Sequence, residues 1–215
     1  MSRGILLIGG YGPGPEKLKQ IISPGDLVCA ADSGLDAAIS SGIEPDGIVG
    51  DMDSLSDKSL LRGFAEENLE IYPVDKDETD TELGISWLRK RGCSSLIIIG
   101  GGEGRLDHTL ALKALFGKQQ PPDAWYTARE KIWSLTGRNR IQGQPGSAVS
   151  FVTSGKGPWR VSSRGLQWEL DRVVWGVESI SLSNRIKGHS AEIIVDEGRL
   201  LVIQPYHRSG DERDS

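Results

Sequence analysis

The sequence predicts an α/β protein: a Rossmann-like N-terminal domain built on a parallel sheet, followed by a C-terminal antiparallel β-sandwich. Three observations lead there. Short apolar runs alternate with helical patterns through the first half, which implies strands joined by right-handed helical crossovers. Those runs are continuously apolar, as in Ile5–Ile8 and Leu96–Ile99, which suits strands covered on both faces. Beyond Lys118-Gln119-Gln120-Pro121-Pro122 the helical period disappears, and short runs separated by turn residues take over.

The elements follow in order. Ile5–Ile8 reads as a strand, Glu16–Ile22 as a helix, Leu27–Ala31 as a strand and Leu35–Ser41 as a helix stopped by Gly42. Gly47–Gly50 is a short strand, Leu60–Glu67 a helix and Leu69–Pro73 a strand. Thr79–Arg91 is an amphipathic helix with Leu83, Trp87 and Leu88 on its apolar side, and Leu106–Phe116 is the helix after Leu96–Ile99. The second half offers strands at Lys131–Leu135, Ala148–Thr153, Trp159–Ser162, Gly176–Leu182, Ala191–Val195 and Arg199–Ile203. The expected division is 1–130 for the α/β domain and 131–208 for the sandwich, with 209–215 a disordered tail in a polar end that begins at His207.

The 215 residues are 37% hydrophobic and 26% charged, enough for a packed core under a solvated surface. A net charge of −5 without a cluster of basic residues argues against a nucleic-acid partner. No apolar run nears the roughly 20 residues that span a bilayer, and the N-terminal run is too short for a signal segment. Cys29 and Cys93 lie in or beside apolar runs and read as buried, reduced thiols, so a cytoplasmic location is expected.

Ligands of an open parallel sheet bind beyond the carboxyl ends of its strands, and four polar motifs fall there. They are Ala31-Asp32-Ser33-Gly34, Gly50-Asp51-Met52-Asp53-Ser54, Asp75-Lys76-Asp77-Glu78-Thr79-Asp80, and the glycine-rich stretch from Gly100 through Gly102, Gly104 and Arg105 to Asp107-His108. Gathering Asp32, Asp51, Asp53, Asp77, Asp80 and Asp107 at one edge is unfavourable unless a hard cation holds them, and Mg²⁺ takes carboxylate oxygens, waters and phosphates. Asp51 and Asp53, two residues apart in an extended turn, are expected to point to one side. Glycines before Arg105 let backbone N–H groups approach phosphate, with a helix N-terminus following and Arg105 gripping oxygens. Asp77 and Asp80 also suit the capping of the helix near Thr79, and His108 reads as a structural histidine. Gly9-Gly10-Tyr11-Gly12-Pro13-Gly14 does not fit the dinucleotide fingerprint, and the phosphate-loop motif GxxxxGK[ST] is absent. In a haloacid dehalogenase-type phosphatase the aspartate pair would follow the first strand; here it follows the third.

Taken in order, ADSG, GDMDS, DKDETD and GEGRLDH resemble the thiamine pyrophosphokinase family. Gly165–Leu170 is similar to that family's GLKW-type strand, and Ser181-Leu182-Ser183-Asn184 to its S-x-S-N segment. The resemblance implies transfer of a pyrophosphoryl group from MgATP to the hydroxyl of thiamine, with AMP released. It implies a homodimer that binds thiamine between the α/β domain of one chain and the sandwich of the other. It implies Mg²⁺ on Asp51, Asp53 and Asp80. Asp32, Asp77, Thr79, Gly102, Gly104, Arg105 and Asp107 would surround ATP and the transferred group, and Ser181, Ser183 and Asn184 would face thiamine. Ser33, where the family often has glycine, and Leu112, where it often has asparagine, depart from the pattern, and Ile132–Gly146 matches it loosely. Two alternatives stay open: the same chemistry on another small alcohol, and a non-catalytic nucleotide or thiamine sensor.

Overall fold

The protein is described, as a computed structural model, over residues 2–206; the expected tail, from His207 on, lies outside the described residues. The chain divides into two compact units. One runs to Leu112 and takes in Pro122–Arg129; the other takes Lys113–Pro121 and continues from Glu130.

The first unit carries six parallel strands: β1 (Ser2–Leu7), β2 (Leu27–Ala31), β3 (Gly47–Gly50), β4 (Leu69–Ile71), β5 (Cys93–Ile99) and β6 (Ala124–Tyr126). Their order is β6-β5-β1-β2-β3-β4. Helices α1 (Pro15–Ile21), α2 (Gly34–Ser40), α3 (Asp80–Lys90) and α4 (Leu106–Leu115) lie between them in sequence. The inner runs of β1, β3 and β5 are apolar because both faces are covered: Ile5, Leu6, Ile48, Val49 and Ile98 are fully buried. Strand order reverses between β1 and β5, the place where such sheets open a crevice. Here the crevice is bridged by backbone. Gly101 N–H donates to Gly9 O (2.7 Å), and Tyr11 and Gly102 exchange N–H···O bonds of 3.0 and 3.2 Å.

The second unit is antiparallel: β7 (Glu130–Gln142), β8 (Ala148–Ser154), β9 (Arg160–Arg164), β10 (Ile180–Arg185) and β11 (Ser190–Pro205). β11 pairs with β7 from Ser190 to Pro205; its other side meets β9 over residues 192–197 and β8 over residues 199–203. β11 therefore changes partner from β9 to β8 along one side, near the bend where its register with β7 shifts between Val195 and Leu200. Gly198, at φ +83°, lies in that bend; a Cβ there would sit 2.7 Å from Pro158 O and 2.4 Å from the Trp159 ring. One apolar cluster joins Leu135 and Ile141 of β7, Val149 and Phe151 of β8, Val161 of β9, and Ile193, Val195 and Leu200 of β11.

Some expectations change. Leu60–Glu67 forms two short 3₁₀ turns, Lys58–Gly63 and Glu66–Asn68, because the chain turns extended at Phe64 right after Gly63 and no α-helix propagates. The runs Ala191–Val195 and Arg199–Ile203 are one strand, and Lys131–Leu135 extends to Gln142. The three residues of β6 gave no periodicity to read.

Candidate active site

Three loops at the carboxyl ends of β2, β3 and β4 bring carboxylates together. Asp32 follows β2 in the left-handed region (φ 47°), and its N–H donates to Val49 O at 2.9 Å, which ties it to the end of β3. Gly50 ends β3 at φ +132°, and a Cβ there would lie 3.0 Å from Asp80 Oδ1 and 3.3 Å from Asp32 N. Glycine is thus required for the backbone and for the close approach. Met52 takes φ 60°, a conformation that costs a β-carbon residue of the order of 1 kcal/mol. Its side chain is 2% exposed and packs with Ala30, Leu35, Ile48 and Leu55, so core packing holds the loop in that strained form. Asp80 opens α3 just after Thr79. Thr79 caps the helix: its Oγ1 accepts from Glu82 N–H and its N–H donates to Glu82 Oε2, both at 3.2 Å. The capping role considered for Asp77 and Asp80 therefore falls to Thr79, and the Asp80 carboxylate turns to the sheet edge.

Oxygens of Asp32, Asp51 and Asp80 lie within 4.8 Å of one another. Asp32 Oδ1 and Asp80 Oδ1 are buried and accept no hydrogen bond. Lys76 supplies the nearby positive charge, with Nζ 2.9 Å from Asp51 Oδ2 and 3.1 Å from Asp80 Oδ1, the latter contact lying off hydrogen-bonding geometry. Burial pushes the Asp32 carboxyl above its ordinary range and the Asp80 charge adds to this, against hydrogen bonds from Ser54 and Ser33. Asp51 moves the opposite way, held low by Lys76 and by the Asp53 N–H.

The other residues singled out from the sequence separate into those near this cluster and those elsewhere. Asp53 is exposed and not in the trio. Its N–H donates to Asp51 Oδ1 (3.1 Å) and its Oδ1 accepts from Ser54 Oγ (2.8 Å), with the left-handed Met52 between the two aspartates. Asp77 is exposed in the loop before α3. Arg105 and Asp107 pair with each other at 2.6 Å, with side chains 74% and 60% exposed. The N–H groups of Gly100, Gly101 and Gly102 donate to Tyr126 O, Gly9 O and Tyr11 O, so those three are not presented to a phosphate; Gly104 is exposed on the same loop. In the second unit Ser181 is half-buried and Ser183 exposed. Asn184 is fully buried, and its side chain is engaged by backbone groups. Its Oδ1 accepts from Trp168 N–H (3.2 Å) and Arg185 N–H (2.8 Å), and its Nδ2 donates to Trp168 O (2.7 Å). It fixes the segment that holds the exposed Trp168. Lys76 received no role from the sequence, although a lysine inside DKDETD was a visible signal. The two cysteines are buried and unpaired.

The donor set fits a hard divalent cation. Mg²⁺ binds oxygens at about 2.1 Å, so two of its ligands stand roughly 3–4 Å apart, and carboxylate oxygens within 4.8 Å with unused lone pairs need only a small closure.

Residues 18–122 match the family described as thiamin pyrophosphokinase, catalytic domain, and residues 138–200 match the thiamin pyrophosphokinase vitamin B1 binding domain. The curated thiamine pyrophosphokinase of Bacillus subtilis is 32% identical over 85 residues, so the match spans about two fifths of each protein: 39% of this chain and 40% of that one. The crystal structure of thiamine pyrophosphokinase from Bacillus subtilis shares the fold at 20% identity with a TM-score of 0.76, covering 95% of this chain and all of that one. That of a probable thiamine pyrophosphokinase from Staphylococcus saprophyticus is 26% identical with a TM-score of 0.64, covering 97% and 100%. With both of the family's domains matched in order over most of its length, the chain belongs to the thiamin pyrophosphokinase family.

Proposed function

We propose that this chain is a Mg²⁺-dependent thiamine pyrophosphokinase, moving the pyrophosphoryl group of ATP to the hydroxyl of thiamine and releasing AMP. The observation that carries the reading is the carboxylate trio with two buried oxygens that accept no hydrogen bond at the sheet edge, in a chain of this family. Asp32, Asp51 and Asp80 would hold the ion, with Asp53 beside them. This replaces the set of Asp51, Asp53 and Asp80. The ion, when bound, neutralises charge on the phosphates.

The chain's own groups do the rest. Arg105, exposed and paired with Asp107, swings to phosphate oxygens and adds positive charge where negative charge develops. Gly104 lets the loop approach the nucleotide, while Asp77 and Asp107 border it. The thiamine hydroxyl oxygen bonds to the β-phosphorus as the bridging oxygen leaves with AMP, and an aspartate of the edge takes the hydroxyl proton. Ser181 and Ser183 are the polar groups offered to thiamine. Asn184 acts at one remove, by positioning Trp168.

We propose further that the enzyme is a cytoplasmic homodimer. Among the described residues no helix is long and apolar enough to cross a membrane, and buried unpaired thiols suit a reducing compartment. Ile180 and Leu182 of β10, with Val174 and Val177, leave apolar surface open in the second unit. Sedimentation at micromolar concentration tests the dimer. Purified protein given ATP, Mg²⁺ and thiamine tests the activity: thiamine diphosphate and AMP are expected in equal amounts, and the absence of both rejects it. Turnover that proceeds faster with a different small alcohol reassigns the acceptor.

A further inference from the structure

Asp51 has a donor on each oxygen, Asp53 N–H on Oδ1 and Lys76 Nζ on Oδ2, and the same Nζ stands 3.1 Å from Asp80 Oδ1. The ammonium thus contacts two of the three carboxylates that converge. It is itself largely buried, its side chain 11% exposed, so it is not a surface charge in casual contact. A divalent ion about 2.1 Å from these oxygens would stand only about 4 Å from an ammonium kept in place. Two positive charges at that distance repel by an energy large enough to change an affinity by an order of magnitude even at high dielectric. The lysine has a flexible four-carbon stem and sits on a loop whose neighbours Asp75, Asp77 and Glu78 are exposed, so it has somewhere to go.

Resting on the cation site of the preceding reading, we infer that Lys76 is a built-in competitor for the divalent ion. In the ion-free protein its ammonium holds Asp51 and Asp80 together; when the ion enters with a polyphosphate, it gives up those oxygens and pairs with a phosphate oxygen. Lys76 is then a positioning residue before nucleotide binds and a nucleotide contact after. The device couples the two ligands, because the ion alone must displace a cation, while ion and polyphosphate together offer that cation a new partner.

Calorimetric titration of the full chain with MgCl₂ at pH 8, without nucleotide, tests this in wild type, Lys76→Met and Lys76→Gln, with circular dichroism verifying the fold. Both variants are expected to bind Mg²⁺ about tenfold more tightly than wild type. They are also expected to melt lower than wild type without the ion and to gain more from adding it. Lys76→Arg, which keeps the charge, is expected to show no such tightening. The sign discriminates, since a lysine that merely braces the loop gives weaker ion binding when lost. Unchanged or weaker binding in the folded variants overturns the competitor role and leaves the cation site standing. A wild-type protein that binds no Mg²⁺, alone or with the non-hydrolysable analogue AMP-PNP, overturns the cation site and this inference together. Lys76→Gln serves as the decisive variant if Lys76→Met aggregates.

Discussion

The two edges of the parallel sheet use aspartate in opposite ways. At the amino ends, each aspartate is satisfied by a neighbouring strand. Asp46, just before β3, exchanges bonds with Val28: its N–H donates to Val28 O and its Oδ2 accepts from Val28 N–H, both at 2.8 Å. Asp123, just before β6, does the same with Leu96, again at 2.8 Å in both directions. Asp26, before β2, pairs with Arg3 and accepts from Ser23 N–H. At the carboxyl ends, Asp32 and Asp80 keep buried oxygens that accept no hydrogen bond, with only the Lys76 ammonium facing that of Asp80 among the described residues, and the backbone beside them is left-handed at Asp32 and Met52. The first set extends the sheet's own hydrogen bonding. The second keeps buried oxygens that the chain does not hydrogen-bond, which suits a site that takes a ligand.

That contrast sets the order of expected effects. Asp51→Asn or Asp80→Asn is expected to lower kcat/KM by about 100-fold or more, the range for removing one electrostatic partner of a transition state. Asp32→Asn should leave the melting temperature of the ion-free protein unchanged or raised, since burial and the Asp80 charge disfavour its carboxylate, whereas Asp51→Asn should lower it by taking a partner from the Lys76 ammonium. A fully active Asp51→Asn enzyme would dissolve the contrast. In the second unit, Asn184→Ala removes a buried amide that serves Trp168 and Arg185, and an expected loss of about 2 kcal/mol is measurable by urea unfolding. Asp123→Ala leaves Leu96 N–H without its side-chain partner and should cost about 1–2 kcal/mol, with specific activity of the folded fraction retained. Loss of activity from that change would mean that the amino edge also shapes the site.

The smallest effect concerns pH. Burial acts upward on the Asp26 carboxyl, but the hydrogen bonds from Arg3 and Ser23 outweigh it and hold it below the ordinary value of 3.8. A carboxyl depressed in the folded state stabilises fully above its unfolded value and loses that contribution as pH falls through the folded one. Wild type and Asp26→Asn should therefore converge in melting temperature only below about pH 3.8, and remain separated at neutral pH. Convergence already at pH 5–6 would show that the pair contributes nothing.

The sequence displayed the sheet and its functional edge because both leave a period or a position to read: apolar runs such as Leu96–Ile99, and acidic motifs directly after them. Asp26, Asp46 and Asp123, which drew no site reading, precede strands. The exact partners were not legible. Two-residue spacing suggested Asp51 with Asp53, but Met52 is left-handed with its side chain drawn into the core, and Asp32 rather than Asp53 completes the trio with Asp51 and Asp80. Nothing local in the sequence announces that conformation, since it depends on packing against Ala30 and Leu35. Asn184 is a similar case: a polar residue at a strand end reads as ligand-facing until its burial is known. The short 3₁₀ turns around Gly63 escaped because the apolar spacing of Leu60, Leu61 and Phe64 mimics a helix.

A crystal structure with Mn²⁺ and a non-hydrolysable ATP analogue tests the central claim most directly, because the anomalous signal locates the ion without reference to sequence. The account expects a peak about 2.1–2.2 Å from oxygens of Asp32, Asp51 and Asp80, in contact with the polyphosphate. A peak held by Asp53 and Asp77 with Asp32 uninvolved, or a nucleotide bound with no ion at this edge, would contradict it.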